Sequence, residues 1–285
     1  MPAPSFPTLL GLPYDARSSF LRGSAAAPPR IRAALHSSAS NLFTETLVDL
    51  GAPGALRDAG DAAIPADASG AEAAEAIDAA VTAVLGAGGR PISLGGDHSV
   101  SYPALRAVRR AHPRLAVLHV DAHPDLYDVF EGDRYSHACP FARVMEAGLA
   151  DQLVQVGIRA MNTHQRAQAE RFGVEVIDMR AWAEGRRPAL GHPVYVSIDL
   201  DGLDPAHAPG VSHREPGGLT VREVVGLLHH LAVPVIAADV VEYNPARDPD
   251  GVTAPVAAKL VKELAGAMHA GGMHAGGMHA GRSGA

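Results

Sequence analysis

Seven short apolar runs constrain the fold of this chain more than any other feature. They are residues 8–13 (TLLGLP), 91–96 (PISLGG), 115–120 (LAVLHV), 153–158 (LVQVGI), 174–179 (VEVIDM), 194–200 (VYVSIDL) and 235–241 (VIAADVV). Each is too brief for a helix and too uniformly hydrophobic for a strand with one wet face. β-Branched runs without alternation are the mark of parallel strands covered on both sides. Helix punctuation lies between them. Ser69 and Glu72 open residues 71–89 as a capping box, and Gly86, Gly88 and Gly89 close that helix. Thr220 and Glu223 repeat the signature before VVGLLHHL, which Pro234 helps to stop. Strand and helix in alternation predict an α/β domain with a mainly parallel sheet and right-handed crossovers. The 285 residues fit one such domain, and no linker divides them.

Composition narrows the function classes. A net charge of -7 argues against a nucleic-acid surface, which needs a basic patch. A single cysteine, Cys139, rules out an intrachain disulfide framework and fits a reducing compartment. The opening residues carry no basic segment followed by an apolar core, and no run approaches 18 uninterrupted apolar residues. The expectation is a cytoplasmic protein without membrane contact. One domain is expected over residues 1–265. Residues 266–285, with their repeated Met-His-Ala-Gly-Gly, are too rich in glycine and too poor in apolar mass to order, so they are read as a disordered tail. The sharper alternative is that the tail's histidines bind transition metals loosely.

Three of the apolar runs end in acid and imidazole. Residues 115–120 lead into Asp121, His123 and Asp125; residues 91–96 into Asp97 and His98; residues 194–200 contain Asp199 and lead into Asp201. Residues two apart in extended chain point the same way, so each cluster is expected to project together if strand geometry persists. All three sit at carboxyl ends of parallel strands, where open α/β sheets bind ligands. One pair of carboxylates at ~4 Å repels by roughly 4 kcal/mol at an effective dielectric of ~20. Two divalent cations would remove that repulsion, with Asp121 and Asp199 able to bridge both. Carboxylates with one or two imidazoles suit Mn²⁺, although affinity order alone does not select it.

Two rivals fail on spacing. Residues 199–204 resemble an EF-hand opening, but the twelfth loop position is Gly210, where a bidentate glutamate is required. The "DLDG" stretch is also similar to the aspartate motif of haloacid-dehalogenase-like phosphatases, but Leu203 stands where Thr or Ser belongs, late in the chain.

The stretches GGDHS (95–99), DAHPD (121–125) and SIDLDGLDPAHAPG (197–210) resemble the three signatures of the ureohydrolase family, which contains arginases and agmatinases. The resemblance runs from about Leu9 to Ala265 and is greatest to plant-type arginases, through SSFLRGSAAAPPRIRAAL, FEGDRYSHACPFARVMEAG, GVSHREPGGLT and ADVVEYNPARD. It implies a three-layer α/β/α domain with an eight-stranded parallel sheet, two Mn²⁺ ions, and a homo-trimer or homo-hexamer. By motif position, one ion takes His98, Asp121, Asp125 and Asp199, and the other Asp121, His123, Asp199 and Asp201.

A guanidinium carbon is a poor electrophile because resonance spreads its charge. A water shared by two cations loses its proton near neutral pH and becomes a fixed nucleophile. Asp125 is placed to accept a hydrogen bond from it. Glu242 matches the family's acidic residue that holds the guanidinium, and His137 its active-site histidine, a proton shuttle. Cys139 is read as small packing. His213 is a candidate lining residue. Arg134 could pair with a substrate carboxylate, or equally answer Asp133 or Glu131 at the surface. The reading is hydrolysis of a guanidino group to urea and an amine. Arginine is slightly favoured over agmatine, with other guanidino acids third. A different-class alternative is a metal-binding protein that kept the fold without catalysis.

Overall fold

The computed structural model describes residues 5–276. Eight strands form one sheet: β1 (Phe6–Gly11), β2 (Arg57–Asp61), β3 (Gly89–Leu94), β4 (Ala116–Val120), β5 (Gln152–Ile158), β6 (Glu175–Asp178), β7 (Val194–Asp199) and β8 (Val235–Val241). Their order is β2-β1-β3-β8-β7-β4-β5-β6, and every pair is parallel. Helices cover both faces, completing the expected three layers. On one side α1 (Ala27–Leu35), α7 (Val221–His229) and α8 (Thr253–Gly276) pack with Leu9, Ile92, Leu118, Val196 and Val240. On the other, α2 (Gly70–Gly86), α3 (Ser101–Ala111) and α4 (Pro140–Glu146) pack with Leu10, Val117, Leu153, Tyr195 and Val241. Neighbours such as Leu9 and Leu10 therefore serve opposite cores, which is why the runs are apolar throughout.

Both expected capping boxes form. Ser69 accepts from the Glu72 N–H and Thr220 from the Glu223 N–H, each glutamate reaching back to the cap's backbone. A third, Asn162 with Gln165, opens α5 (Thr163–Phe172). Such caps contribute about 1 kcal/mol each and fix where each helix begins.

Two expectations change. The eighth strand, β2, has the sequence RDAGD and is exposed along its whole length, so it carries no hydrophobic signal; it is an edge strand beside β1. The boundary expected after residue 265 falls inside α8, which continues through residues 266–276 and buries Met268 completely, while the Met268 carbonyl accepts from Arg90 (2.6 Å) and His269 Nε2 bonds to the Ala55 carbonyl (2.8 Å). The remaining repeats, from residue 277, lie outside the described residues. Among the described residues no helix is long and apolar enough to cross a membrane.

Candidate active site

The four central strands, in the order β3-β8-β7-β4, all end at the same edge of the sheet. Val120 pairs with Ile198, so Asp121 and Asp199 leave neighbouring strands in register. His98 follows β3 and Glu242 follows β8. Sheet order thus brings together residues up to 144 positions apart, as in the bond from the His98 N–H to Glu242 Oε1 (3.0 Å). Gly202 makes the close approach possible: a Cβ there would lie 2.8 Å from the Asp121 nitrogen. At Gly96 the intruder would be the Tyr14 carbonyl.

Convergence does not come from the alternation expected of extended chain. Strand geometry stops at Val120, and side-chain turns take over. Asp121 Oδ1 accepts from the His123 N–H (2.6 Å), and Asp199 Oδ1 from the Asp201 N–H (2.8 Å). Asp125 and Glu242 hold φ of 50° and 64°, left-handed values that cost a side-chain-bearing residue about 1–2 kcal/mol. Such strain collects at functional sites, where the surrounding bonds enforce it.

The six expected ligand residues meet. His98 Nδ1 lies 3.1 Å from Asp121 Oδ2, 3.0 Å from Asp125 Oδ2 and 3.1 Å from Asp199 Oδ2. His123 Nδ1 lies 3.2 Å from Asp201 Oδ2 and 3.4 Å from Asp121 Oδ1. Burial and the charges of Asp201 and Asp121 push the Asp199 carboxyl well above the usual range. Asp201 rises to about 6 through burial, with His123 opposing and Asp121 adding to the rise. At Asp121 burial acts upward too, but His119, His123 and His98 outweigh it and hold it well below the ordinary value.

These residues fit divalent cations on a structural observation. His98 Nδ1 is buried and, despite three carboxylates at contact distance, makes no directed hydrogen bond. Its other nitrogen, Nε2, is bonded to Ser197 Oγ (3.0 Å), whose single proton goes to Asp239 Oδ1 (2.6 Å). The serine oxygen therefore accepts from Nε2–H, which leaves the Nδ1 lone pair facing three acids. A cation satisfies that arrangement; in the bare protein a proton on Nδ1 does so, since burial is outweighed by Asp121, Asp125 and Asp199, which hold His98 well above its ordinary pKa. His98, His119 and Asp121 present ligand atoms within 4.8 Å of one another, as do Asp121, His123 and Asp201.

Beside the ligands lies a cleft of about 180 Å³, lined by Asp125, His137, His213, Glu242 and Ser19 among others. His137 Nδ1 bonds Glu242 Oε1 (2.8 Å), and its Nε2 meets Ser19 Oγ (2.8 Å). Burial disfavours the charged ring, but Glu242 overrides it and raises His137 to about 9. The His213 ring stands 5.3 Å from that of His137 and 5.8 Å from that of His123. Burial, then His137, lowers its pKa. Cys139 is fully buried, and burial pushes its thiol up to about 12, which leaves it unreactive packing.

Arg134 is not in the cleft. Its guanidinium pairs with Glu146 (3.0 Å), neither of the acids expected, and its side chain is 55% exposed. The loop from Phe130 to Asp133 turns back on itself through paired backbone bonds, which carries Arg134 to the outer side. Conversely, sequence reasoning missed four partners of the ligands. His119 Nε2 bonds Asp121 Oδ2 (2.7 Å), Gln155 Nε2 donates to His119 Nδ1 (3.0 Å), and Ser197 and Asp239 hold His98. A signal existed: each is a polar residue inside an otherwise apolar strand run, and such residues must find partners.

With this geometry in place, relatives can be compared. The model of the arginase family matches residues 7–266. The chain belongs to the arginase family. It is 49% identical over 273 residues to arginase 1, mitochondrial, of Arabidopsis thaliana, a match covering 90% of this chain and 80% of that one. The solved arginase from Medicago truncatula superposes with a TM-score of 0.87 at 46% identity, covering 93% of this chain and 87% of that one. The agmatinase of Bacillus subtilis is more distant, at 34% identity over 90% of this chain and 89% of its own. This arginase-family hydrolase thus stands nearer the plant arginases than the agmatinases. The cytoplasmic expectation is overturned: plant arginases at 47–49% identity carry mitochondrial or chloroplastic names. A lone cysteine does not distinguish the cytosol from an organelle interior.

Proposed function

We propose that this protein hydrolyses the guanidino group of arginine to urea and ornithine with two Mn²⁺ ions. The observation that carries the hydrolytic reading is the meeting of six ligand residues, His137 and Glu242 at the ends of four adjacent strands. One ion would be held by His98, Asp121, Asp125 and Asp199, the other by Asp121, His123, Asp199 and Asp201. When bound, the pair supplies a water acidic enough to attack at neutral pH.

The chain's own residues do the rest. Glu242, ionised because His137 and the His98 N–H outweigh its burial, offers negative charge to the guanidinium. Asp125 faces the cleft and can accept a hydrogen bond from the attacking water. His137 can move protons between the cleft and solvent, to the leaving amine or away from the attacking water. Displacement of water by substrate strengthens these contacts, since they act in a lower dielectric.

Arginine is favoured by the similarity to plant arginases over agmatinases. One observation supports agmatine as a second reading: neither arginine nor lysine is among the described residues lining the cleft, so an α-carboxylate would meet only neutral donors and histidines. Urea release from arginine, agmatine and 4-guanidinobutyrate, measured side by side with Mn²⁺, decides. Arginine is expected to lead; a wide lead for agmatine reverses the substrate assignment and leaves the chemistry intact. Assembly as a homo-trimer or homo-hexamer is carried from the family resemblance, and light scattering of the purified chain tests it.

A further inference from the structure

Residues 15–23 form a strap along one wall of the cleft, tied down more firmly than its exposed tip requires. Buried Asp15 accepts from the N–H groups of Gly23 (2.6 Å) and Ala25 (3.2 Å). Buried Asp97 accepts from the Arg17 N–H (3.0 Å) and the Ser18 hydroxyl (3.2 Å). The Leu21 carbonyl accepts from Ser212 Oγ (2.7 Å) and Asn244 Nδ2 (2.9 Å). The strap is also stitched to His137, whose N–H donates to the Arg17 carbonyl (3.1 Å). One side chain of this anchored segment is left reaching into the site: Ser19, its Oγ 2.8 Å from His137 Nε2.

We propose that the Ser19 hydroxyl is the proton outlet of His137, a positioning residue that joins a buried imidazole to bulk water. The inference rests on the ureohydrolase reading above. His137 is 8% exposed, whereas Ser19 is exposed. A hydroxyl accepts and donates at once. It can take the Nε2 proton while releasing its own to water, so one O–H bond forms as another breaks and the serine ends neutral. Glu242 cannot serve as outlet, because it is buried and already engaged by Nδ1 and the His98 N–H. His213 is near, but no hydrogen bond joins it to His137 among the described residues. The charged and titratable groups around His137 are Glu242, Asp97, Asp125 and His213, and none of them opens to solvent as Ser19 does.

The test uses the Mn²⁺-loaded full chain with arginine and agmatine, comparing wild type, Ser19→Ala and Ser19→Thr while imidazole buffer is varied at constant ionic strength. Ser19→Ala is expected to lower kcat on the order of tenfold with KM unchanged, and rising imidazole to restore it. Ser19→Thr, which keeps the hydroxyl, should stay within about twofold of wild type. Bound Mn²⁺ and melting temperature should not move. The proposal is overturned if Ser19→Ala matches wild type at every buffer concentration. It is equally overturned if the loss appears in KM or melting temperature and no buffer restores it. Should wild type itself release no urea from either substrate, the ureohydrolase reading fails and takes this relay with it.

Discussion

The two sides of the cleft are built on opposite principles. On the ligand side, Asp121, Asp125, Asp199 and Asp201 are buried within reach of two imidazoles, and burial with the charge of neighbouring carboxylates pushes the Asp199 and Asp201 carboxyls above their ordinary range. On the other side, Glu242, His137 and Ser19 satisfy one another, and the strap behind them is anchored by Asp15 and Asp97. The chain completes its own hydrogen bonding where it must hold substrate and move protons. It leaves negative charge unbalanced where something has to be bound. On the proposed reading, the ligand side is the source of metal dependence and the histidine side the source of turnover.

The contrast is broken most severely at a bridging position. Asp121→Ala should remove at least about a thousandfold of urea release and most bound Mn²⁺, because the residue faces both histidines of the cluster. Retained activity in a urea assay would show that the ligand side is dispensable. One step out, His119→Ala should weaken Mn²⁺ about 10- to 100-fold in calorimetric titration, since it removes the donor that fixes Asp121 Oδ2. An unchanged affinity would mean that Asp121 holds its orientation without help.

Protons stand in for cations when metal is stripped, and that predicts a pH dependence. The carboxyls of Asp201 and Asp97 lie at about 6, above their unfolded value, so the stability they contribute is present at low pH and lost as pH rises through about 6. His137, raised to about 9, contributes below its unfolded pKa and loses that contribution as pH climbs through 9. The metal-free protein should therefore melt progressively lower from pH 5 to pH 9. Saturating Mn²⁺ should flatten the lower part of that decline and raise the melting temperature; a hundredfold excess over Kd supplies about 2.7 kcal/mol per site. A metal-free melting temperature that rises across this range would contradict the charge balance described. The smallest effect belongs outside the cleft. Arg134→Ala should change stability by less than about 0.5 kcal/mol, and KM for arginine should not move. A raised KM would return Arg134 to the site.

Much of this was legible in the sequence because strand ends and ligands lie in the same short stretches. Seven strands announce themselves through apolar runs, and their acidic ends mark the ligands. β2 was not legible, since an exposed edge strand of Arg, Asp, Ala and Gly buries nothing and is held by its pairing to β1. The position of Arg134 depends on a local loop reversal between Phe130 and Asp133 that no motif records. Ser19 is invisible for another reason: its contact to His137 spans 118 residues and exists only because two buried aspartates pin the strap. His119, Gln155 and Asp239 were visible as polar interruptions of buried strands, but their partners required the register of β4, β5, β7 and β8.

The central claim is that the four carboxylates and two imidazoles hold a pair of cations that make the cleft hydrolytic. Titrating metal-stripped protein with Mn²⁺ while recording bound metal and urea release from arginine tests it directly. The account predicts that activity is absent without metal and reaches its plateau at two Mn²⁺ per chain. Two bound Mn²⁺ with no turnover of any guanidino substrate, or full activity in the stripped protein, would contradict it.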